Sequence, residues 1–201
     1  MEYLDFYDEN GNYLGKESRE VVHQKGLWHK TVHCWLYDSN SNVYFQIRAD
    51  ENKLYTTASG HVLAGETVAE AFGREIKEEI GISVDMNQAV FVDMIPFQMD
   101  KIKKDGTIWK DRAMANVYAC EYHFENNFSF DPKEVTGLAI VNAKETLELF
   151  EQKRTQIEGK IITENGIEQK NYTVDDFLVF QNETLMNKYG FVLKKVAELT
   201  K

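Results

Sequence analysis

The spacing of apolar residues changes several times along the chain, and each change predicts a structural element. Residues 2–15 contain two short apolar stretches around Asn10-Gly11, and Asn-Gly is the strongest short signal for a β-hairpin. Further along, apolar residues alternate with polar ones, which is typical of a half-buried strand. This alternation predicts strands over residues 29–38, 43–49, 88–98, 112–124 and 138–142.

The period becomes helical after Gly60. Thr67 and Glu70 have the form of a capping box, apolar residues then recur every three or four positions, and Gly81 is a natural helix stop. Further helices are predicted over residues 18–24 and 143–154. Residues 174–199 are predicted to form one or two helices, broken near residues 188–190.

We find no internal repeat and no linker-like stretch in the sequence, which therefore predicts a single α+β domain. Residues 1–27 are expected to form an N-terminal β-hairpin and a short helix. Residues 28–155 are expected to form the core, and residues 156–201 a C-terminal helical extension. Apolar stripes in that extension indicate either core packing or a homodimer contact.

The chain has 201 residues, 43% of them apolar, which suffices for one well-packed domain. Acids outnumber bases 33 to 23, and the formal charge of −10 disfavours nucleic acids and anionic membranes as partners. The acidic start of the sequence has no continuous apolar stretch, and no apolar run approaches the length of a transmembrane helix, so we expect no signal peptide. Cys34 and Cys120 are then expected to be reduced thiols in a cytoplasmic protein.

The carboxylates of the helix after Gly60 have an unusual placement. Glu75, Glu78 and Glu79 share one helix face at the spacing i, i+3, i+4. At about 100° per residue, Glu75 and Glu79 flank the direction of the apolar Val68, so the acidic cluster points towards the body of the protein. Clustered carboxylates repel one another, and Mg²⁺ would offset that cost. From helix phase alone, a metal site and an ordinary solvated helix are both open.

The spacing of the glycine, glutamate and arginine residues in this segment decides between a metal site and a solvated helix. Gly60 is followed after five residues by Glu66, and seven residues later the segment REIKEEIGI occupies positions 74–82. This segment resembles the Nudix box and is complete at every fixed position. The predicted order of strands and helices over residues 28–155 also resembles the Nudix fold, an α/β/α sandwich with a mixed β-sheet.

The resemblance implies an enzyme that hydrolyses a diphosphate linkage, in a nucleoside di- or triphosphate or a nucleotide-linked diphosphate. It implies that Glu66 and Arg74 pair and shape the loop. The metal ligands that it implies for Mg²⁺ or Mn²⁺ are Glu75, Glu78, Glu79 and the nearby carbonyl of Gly60. The cation would lower the pKa of a bound water, and Glu78 or Glu79 would take the proton. Some members of the family use a distant loop glutamate instead.

A narrower resemblance connects the chain to type 1 isopentenyl diphosphate isomerase and its Nudix relatives. It rests on LWHKTVHCWLYDS (27–39), on the N-terminal hairpin and on Ser59-Gly60-His61. That isomerase binds a metal through histidines and glutamates. His29 and His61 match two of its metal histidines, and His23 matches a third after a one-residue shift. Two of its diphosphate-binding residues also have matches, so the expected substrate contacts are Arg48, Lys53, His29 and His61.

Two departures argue against isomerase chemistry. The position of the isomerase's catalytic cysteine is Ser59, and that of its catalytic glutamate is Ala113. A serine does not readily replace a thiol in acid–base work, because its pKa is far higher. We therefore expect hydrolysis of a small phosphorylated substrate. The alternatives are an isomerase-like enzyme and a non-catalytic Nudix binding domain, which would tolerate loss of the box glutamates.

Three further features have two interpretations each. Residues 100–112 form either a lid whose Trp109 stacks on a base or a solvated hairpin. Asp111 and Glu121 lie on or near a strand that could face the site, and either is a candidate for an additional acid. His33 points to the same strand face as His29, as a metal ligand or as a half-buried, hydrogen-bonded histidine.

Overall fold

The computed structural model describes residues 1–103, 105–123, 127–178 and 183–200. In these residues eleven strands form one mixed sheet. The strands are Tyr3–Tyr7 (β1), Tyr13–Ser18 (β2), Trp28–Tyr37 (β3), Asn42–Arg48 (β4), Leu54–Tyr55 (β5), Ala58–His61 (β6), Val90–Ile102 (β7), Ile108–Glu121 (β8), Val135–Asn142 (β9), Ile157–Thr163 (β10) and Gly166–Tyr172 (β11). The α-helices are Arg19–Lys25 (α1), Val68–Ile80 (α2), Ala143–Phe150 (α3) and Glu183–Leu199 (α4).

Local sequence determines where the first two helices begin and end. α1 begins after Ser18, whose hydroxyl accepts a backbone hydrogen bond, and ends at Gly26 with a φ of 67°. α2 begins after Thr67, which forms a reciprocal capping box with Glu70, and ends at Gly81 with a φ of 75°. A left-handed residue at a helix end favours glycine. Both ends of α2 therefore lie where the sequence predicts them.

The strand β3 lies inside the sheet and organises the site. One of its edges pairs in parallel with β8 over its whole length from residue 29 to residue 37. The other edge is shared by three strands: β1 pairs near residues 28–29, β6 along residues 31–34 and β4 at residues 36–37. Because β6 replaces β4 beside β3, β4 and β6 separate and leave a space between them.

Successive side chains of β3 point into two different cores. Cys34 and Leu36 belong to a cluster that packs on α2, whereas Trp35 and Tyr37 belong to one that packs on α3 and α4. Helices therefore cover both faces of the sheet, which confirms the predicted α/β/α sandwich. Cys34 is buried, and so is Cys120; both are free thiols. Within the described ranges, none of the helices is long and apolar enough to cross a membrane.

The C-terminal region differs from its prediction in two ways. Residues 157–172, predicted to belong to a helical extension, form the hairpin of β10 and β11, which adds to the sheet beside β9. β11 is exposed at every position except Tyr172, so no apolar alternation marks it as a strand. Among the described residues of the predicted extension, Val174–Asp176 form a short 3-10 helix and Glu183–Leu199 form α4.

The predicted break near residues 188–190 is also wrong, because α4 continues through it. A Cβ at Gly190 would meet Leu147 of α3 at an ordinary van der Waals distance of 3.5 Å, so this glycine lies on the face of α4 that packs on α3. Packing of this kind outweighs the cost of about 1 kcal/mol for a glycine inside a helix. Residues 179–182 of the predicted C-terminal helix lie outside the described residues, and so does Phe124 at the end of a predicted strand.

Candidate active site

A polar cavity of about 380 Å³ opens where β4 and β6 separate. Its walls come from β3, β4, β6 and α2, and from the loop before β9. The acids that line it include Glu75, Glu78, Glu79, Asp111 and Glu134, the bases include Arg48, Arg74 and Lys133, and neutral polar residues include Thr31, His33, Gln46, Tyr55 and Ser59. Glu75 and Glu79 of α2 therefore point into the protein, as the helix phase predicts.

Glu79 is held firmly at the cavity wall. Its side chain is almost fully buried. One carboxylate oxygen accepts hydrogen bonds from the backbone N–H of Ser59 at 3.0 Å and from the amide of Gln46 at 3.2 Å. Burial raises the pKa of Glu79 well above its usual value, and the nearby charge of Glu75 adds to this effect. Such a carboxylate is costly to ionise without a nearby cation.

Glu75 lies directly against Gly60. An ideal Cβ at Gly60 would be 2.0 Å from the Glu75 carboxyl carbon, so any side chain at position 60 would displace this carboxylate. Glu75 is also buried, and burial raises its pKa to about 7, against the opposing effect of Arg74. The glycine of the motif is thus needed for close approach of Glu75 to the strand.

Arg74 connects the helix to the loop before it. Its guanidinium binds both carboxylate oxygens of Glu66 at 2.9 Å and donates to the carbonyl of His61 at 2.8 Å. One of its nitrogens bridges Glu75 at 2.7 Å and Glu78 at 3.1 Å. Glu66 also accepts from the N–H of Leu63, so the Glu66–Arg74 pair orders the loop. Glu66 does not line the cavity, and the side chain of Glu78 is 61% exposed.

The loop before β9 brings Lys133 and Glu134 to the cavity. The backbone N–H of Ser129 donates to the carbonyl of Ile80 at 3.0 Å, and that of Asp131 donates to the carbonyl of Glu79 at 3.2 Å, which fastens the loop to the end of α2. The charge of Glu134 contributes to the raised pKa of both buried glutamates. Sequence reasoning did not single out Lys133 or Glu134, because no local pattern indicates where this loop folds.

The two predicted phosphate-binding bases have different positions. Arg48 lines the cavity and forms a two-point ion pair with Asp50, with both N–O distances at 3.0 Å. Lys53 is not among the lining residues, and its ammonium group donates to the backbone carbonyl of Asp175. The structure therefore brings Arg48 to the site but not Lys53.

Beside the cavity, three histidines form a compact cluster. The candidate ligand atoms of His23, His29 and His61 all lie within 4.8 Å of one another. The Nδ1 atoms of His23 and His29 lie 2.8 Å and 3.0 Å from backbone carbonyls, so their Nε2 atoms are left to face the cluster. His61 also lines the cavity, whereas His29 is fully buried and does not. The predicted direct substrate contact of His29 is therefore not supported by its position.

Asp111 and Trp109 complete the surroundings of the histidine cluster. The Oδ1 atom of Asp111 lies 3.5 Å from Nε2 of His29, and both atoms are buried without a hydrogen-bond partner. Trp109 stacks on His23 with ring centroids 4.2 Å apart, and the Lys103 ammonium lies 3.4 Å from the Trp109 ring centroid. Trp109 thus covers the cluster rather than offering a free face to a base.

The two positions that depart from the isomerase have structural roles, and the second candidate acid lies away from the site. Ser59 contributes its backbone N–H to Glu79, and Ala113 is buried where β8 pairs with β3 and β7. Glu121 lies exposed at the far end of β8 and does not line the cavity. Of the two additional acids considered from the sequence, only Asp111 reaches the site.

Comparison with known proteins decides the family. A family model described as NUDIX domain matches residues 27–163, more than half of the chain. The chain belongs to the Nudix family. An uncharacterized Nudix hydrolase of Clostridium acetobutylicum is 29% identical over 203 residues, spanning 94% of this chain and 93% of that relative.

Two further relatives illustrate the range of the match. An isopentenyl-diphosphate Delta-isomerase of Serratia proteamaculans is 32% identical over 114 residues, or 50% of this chain and 64% of the relative. The crystal structure of DR0079 from Deinococcus radiodurans shares the fold, with a TM-score of 0.53 and 20% identity over 75% of this chain and 90% of that one. As a member of the Nudix hydrolases, the chain is an enzyme that acts on diphosphate bonds.

Proposed function

We propose that this Nudix enzyme uses Mg²⁺, or Mn²⁺, to hydrolyse a diphosphate linkage in a nucleoside di- or triphosphate or a nucleotide-linked diphosphate. The observation that carries the proposal is the pair of buried carboxylates, Glu75 and Glu79, on the wall of a polar cavity. Two such groups are stable as anions only beside positive charge. Arg74 contacts Glu75, and the opposing effect of Arg48 on Glu79 is smaller than that of burial, so a further positive charge is needed.

The residues present fit a hard divalent cation. They supply oxygen donors, namely the carboxylates of Glu75, Glu78 and Glu79 and the carbonyl of Gly60, and oxygen donors are what Mg²⁺ prefers. Both buried carboxylates have raised pKa values, and a cation would reverse that effect. When bound, the metal ion would neutralise phosphate oxygens and make a water molecule more acidic.

Other side chains would hold the substrate and the reacting water. Arg48 and Lys133 lie at the cavity with positive charge, so they would bind the phosphates. Glu79 already accepts two hydrogen bonds, and Glu78 is bonded to Arg74. Glu134 makes no side-chain hydrogen bond within the described part of the chain. We therefore propose Glu134 as the proton acceptor, with Glu78 as the alternative.

A panel of nucleoside di- and triphosphates and nucleotide-linked diphosphates, incubated with Mg²⁺, tests the proposal. We expect hydrolysis of at least one compound and a loss of about 100-fold or more in Glu79→Gln. Glu168→Gln, an exposed glutamate on β11, is the matched control and should equal the parent. An inactive parent, or a Glu79→Gln variant as active as the parent, would refute the proposal.

A second cation site at the histidine cluster is favoured by a separate observation. His29 Nε2 and Asp111 Oδ1 are buried and unpartnered, and they lie beside the Nε2 atoms of His23 and His61, which are 3.3 Å apart. A nitrogen-rich donor set of this kind suits Zn²⁺ or Mn²⁺. Metal content after dialysis against each ion would fall by one equivalent in His29→Ala if the site is real. Equal metal content in His29→Ala and the parent would exclude it.

The histidine cluster is the feature that an isomerase-like enzyme would share with this chain. Ser59 and Ala113 argue against that activity, so we expect no isomerisation of isopentenyl diphosphate. Isomerisation at a rate comparable to diphosphate hydrolysis would reverse this assignment. The free thiols Cys34 and Cys120 agree with the reducing cytoplasm as the proposed compartment.

A further inference from the structure

The cavity contains a neutral part that the proposed hydrolysis does not use. Thr31 and His33 of β3 and Tyr55 of β5 line it together with the charged residues. The hydroxyl of Thr31 is buried without a hydrogen-bond partner. His33 contacts Tyr55 edge to face, with ring centroids 5.8 Å apart, and its side chain makes no hydrogen bond to a described residue. This part of the wall therefore holds unused polar groups.

Unused polar groups lower the stability of the fold. A buried hydroxyl without a partner loses its hydrogen bonds to water and gains none in return. A valine at position 31 has nearly the same shape and lacks this cost. Polar groups that weaken the fold are typical of sites where a ligand completes the missing hydrogen bonds.

The neutral part of the cavity fits hydroxyl groups better than charge or hydrocarbon. Burial lowers the pKa of His33 to about 4, so its ring is neutral near pH 7 and has one donor and one acceptor. Burial raises the pKa of Tyr55, which keeps its proton. A further phosphate would find no cation there except Arg48, which the expected phosphate site already uses. An apolar chain would cover these polar atoms without pairing them.

This part of the cavity also adjoins the expected phosphate site. The guanidinium of Arg48 lies over the ring of Tyr55, 5.6 Å from its centroid. A group bonded to a phosphate at Arg48 would therefore meet Tyr55 and its neighbour His33. The guanidinium of Arg48 already occupies one face of the Tyr55 ring, so that face is not open to a stacked base.

We infer that Thr31, His33 and Tyr55 form a subsite that binds the ribose hydroxyls of the substrate, next to the phosphates at Arg48. The inference rests on the proposed function and adds to it the part of the substrate that the enzyme recognises. It makes Thr31 and His33 specificity-determining residues, which bind substrate but take no part in bond cleavage.

Binding of non-hydrolysable analogues tests this subsite without relying on turnover. The probes are α,β-methylene ADP, its 2′,3′-dideoxy counterpart and an isopentenyl methylenediphosphonate, each titrated by calorimetry with Mg²⁺ present. We expect the hydroxylated compound to bind about tenfold or more tightly than the dideoxy compound, because its hydroxyls pair with buried groups. The alkyl compound should bind most weakly.

Two variants test whether Thr31 and His33 cause the preference for the hydroxylated analogue. Thr31→Val and His33→Phe should each weaken binding of the hydroxylated analogue and leave the dideoxy analogue within about twofold of the parent, since only hydroxyl pairing is removed. Both should also melt a few degrees higher than the parent, because they remove unpaired polar groups. Thr136→Val, at an exposed position on β9, is the control and should change neither affinity.

Several results would overturn the inference. They are equal binding of the hydroxylated and dideoxy analogues, no binding of either, preferred binding of the alkyl compound, or variants that weaken both nucleotide analogues equally. Failure of the proposed function gives a different result: the hydroxylated analogue is preferred, yet the parent hydrolyses no diphosphate in the panel.

Discussion

Replacing Gly60 by alanine is expected to disable the site while leaving the fold nearly intact. An ideal Cβ at position 60 would lie 2.0 Å from the carboxyl carbon of Glu75, whereas ordinary contact begins at 3.4 Å. The carboxyl group must therefore move by the difference, about 1.4 Å. A misplacement of about 1 Å costs roughly 100-fold in rate, so we expect at least that loss in kcat/KM.

The same geometry predicts a small effect on stability. The atoms that clash belong to the end of a flexible side chain, and Gly60 does not have a positive φ. Glu75 can therefore swing aside without strain in the backbone, and the free energy of unfolding should change by no more than about 1 kcal/mol. Activity and stability are thus expected to separate in this variant.

The assay compares kcat/KM for the best substrate of the panel at saturating Mg²⁺ with the thermal midpoint of each protein. Gly73→Ala is the matched control, because this glycine lies in α2 with no neighbouring atom within 4 Å of an added Cβ. It should keep parental activity and gain about 0.5–1 kcal/mol in stability, as expected for a helical glycine. A Gly60→Ala enzyme with parental kcat/KM would refute the view that the position of Glu75 is critical.

The charged groups of the site are expected to respond to pH and to substitution in three further ways. Burial raises the pKa of Glu75 from 4.5 to about 7, so in EDTA the stability due to its protonated form should be lost as the pH rises from 4.5 to about 7. The decline in thermal midpoint should be shallower in Glu75→Gln, and an equal decline would contradict this. Arg48→Ala should raise KM about tenfold while Lys53→Ala leaves it unchanged, and steady-state kinetics showing the reverse would contradict the phosphate assignment. Glu134→Gln should lower kcat about 100-fold and leave KM nearly unchanged, and a variant with the parental kcat would assign proton transfer to Glu78 instead.

Much of the site was predictable because its signals are local. The capping box at Thr67, the stop at Gly81 and the spacing from Gly60 to residue 82 are read within one loop and one helix, and the structure has these elements there. The helix phase also predicted correctly that Glu75 and Glu79 face inwards.

Features that depend on distant parts of the chain were not predictable in this way. Glu134 reaches the cavity because its loop binds the end of α2, a contact between segments about fifty residues apart. Lys53 is near Arg48 in sequence, yet its side chain turns to Asp175. The hairpin of β10 and β11 has little apolar alternation, since β11 is almost wholly exposed, and pairing with β9 rather than burial defines it.

In the proposed function, the buried glutamates of α2 act with a divalent cation on a diphosphate linkage. Phosphorus NMR of the best substrate, recorded in EDTA and after addition of Mg²⁺, tests it most directly in the parent, Glu75→Gln and Glu79→Gln. We predict that the parent hydrolyses the substrate only after Mg²⁺ is added, and that both variants lose about 100-fold or more of that rate. Hydrolysis that continues in EDTA, or that persists in Glu79→Gln at the parental rate, would contradict the claim.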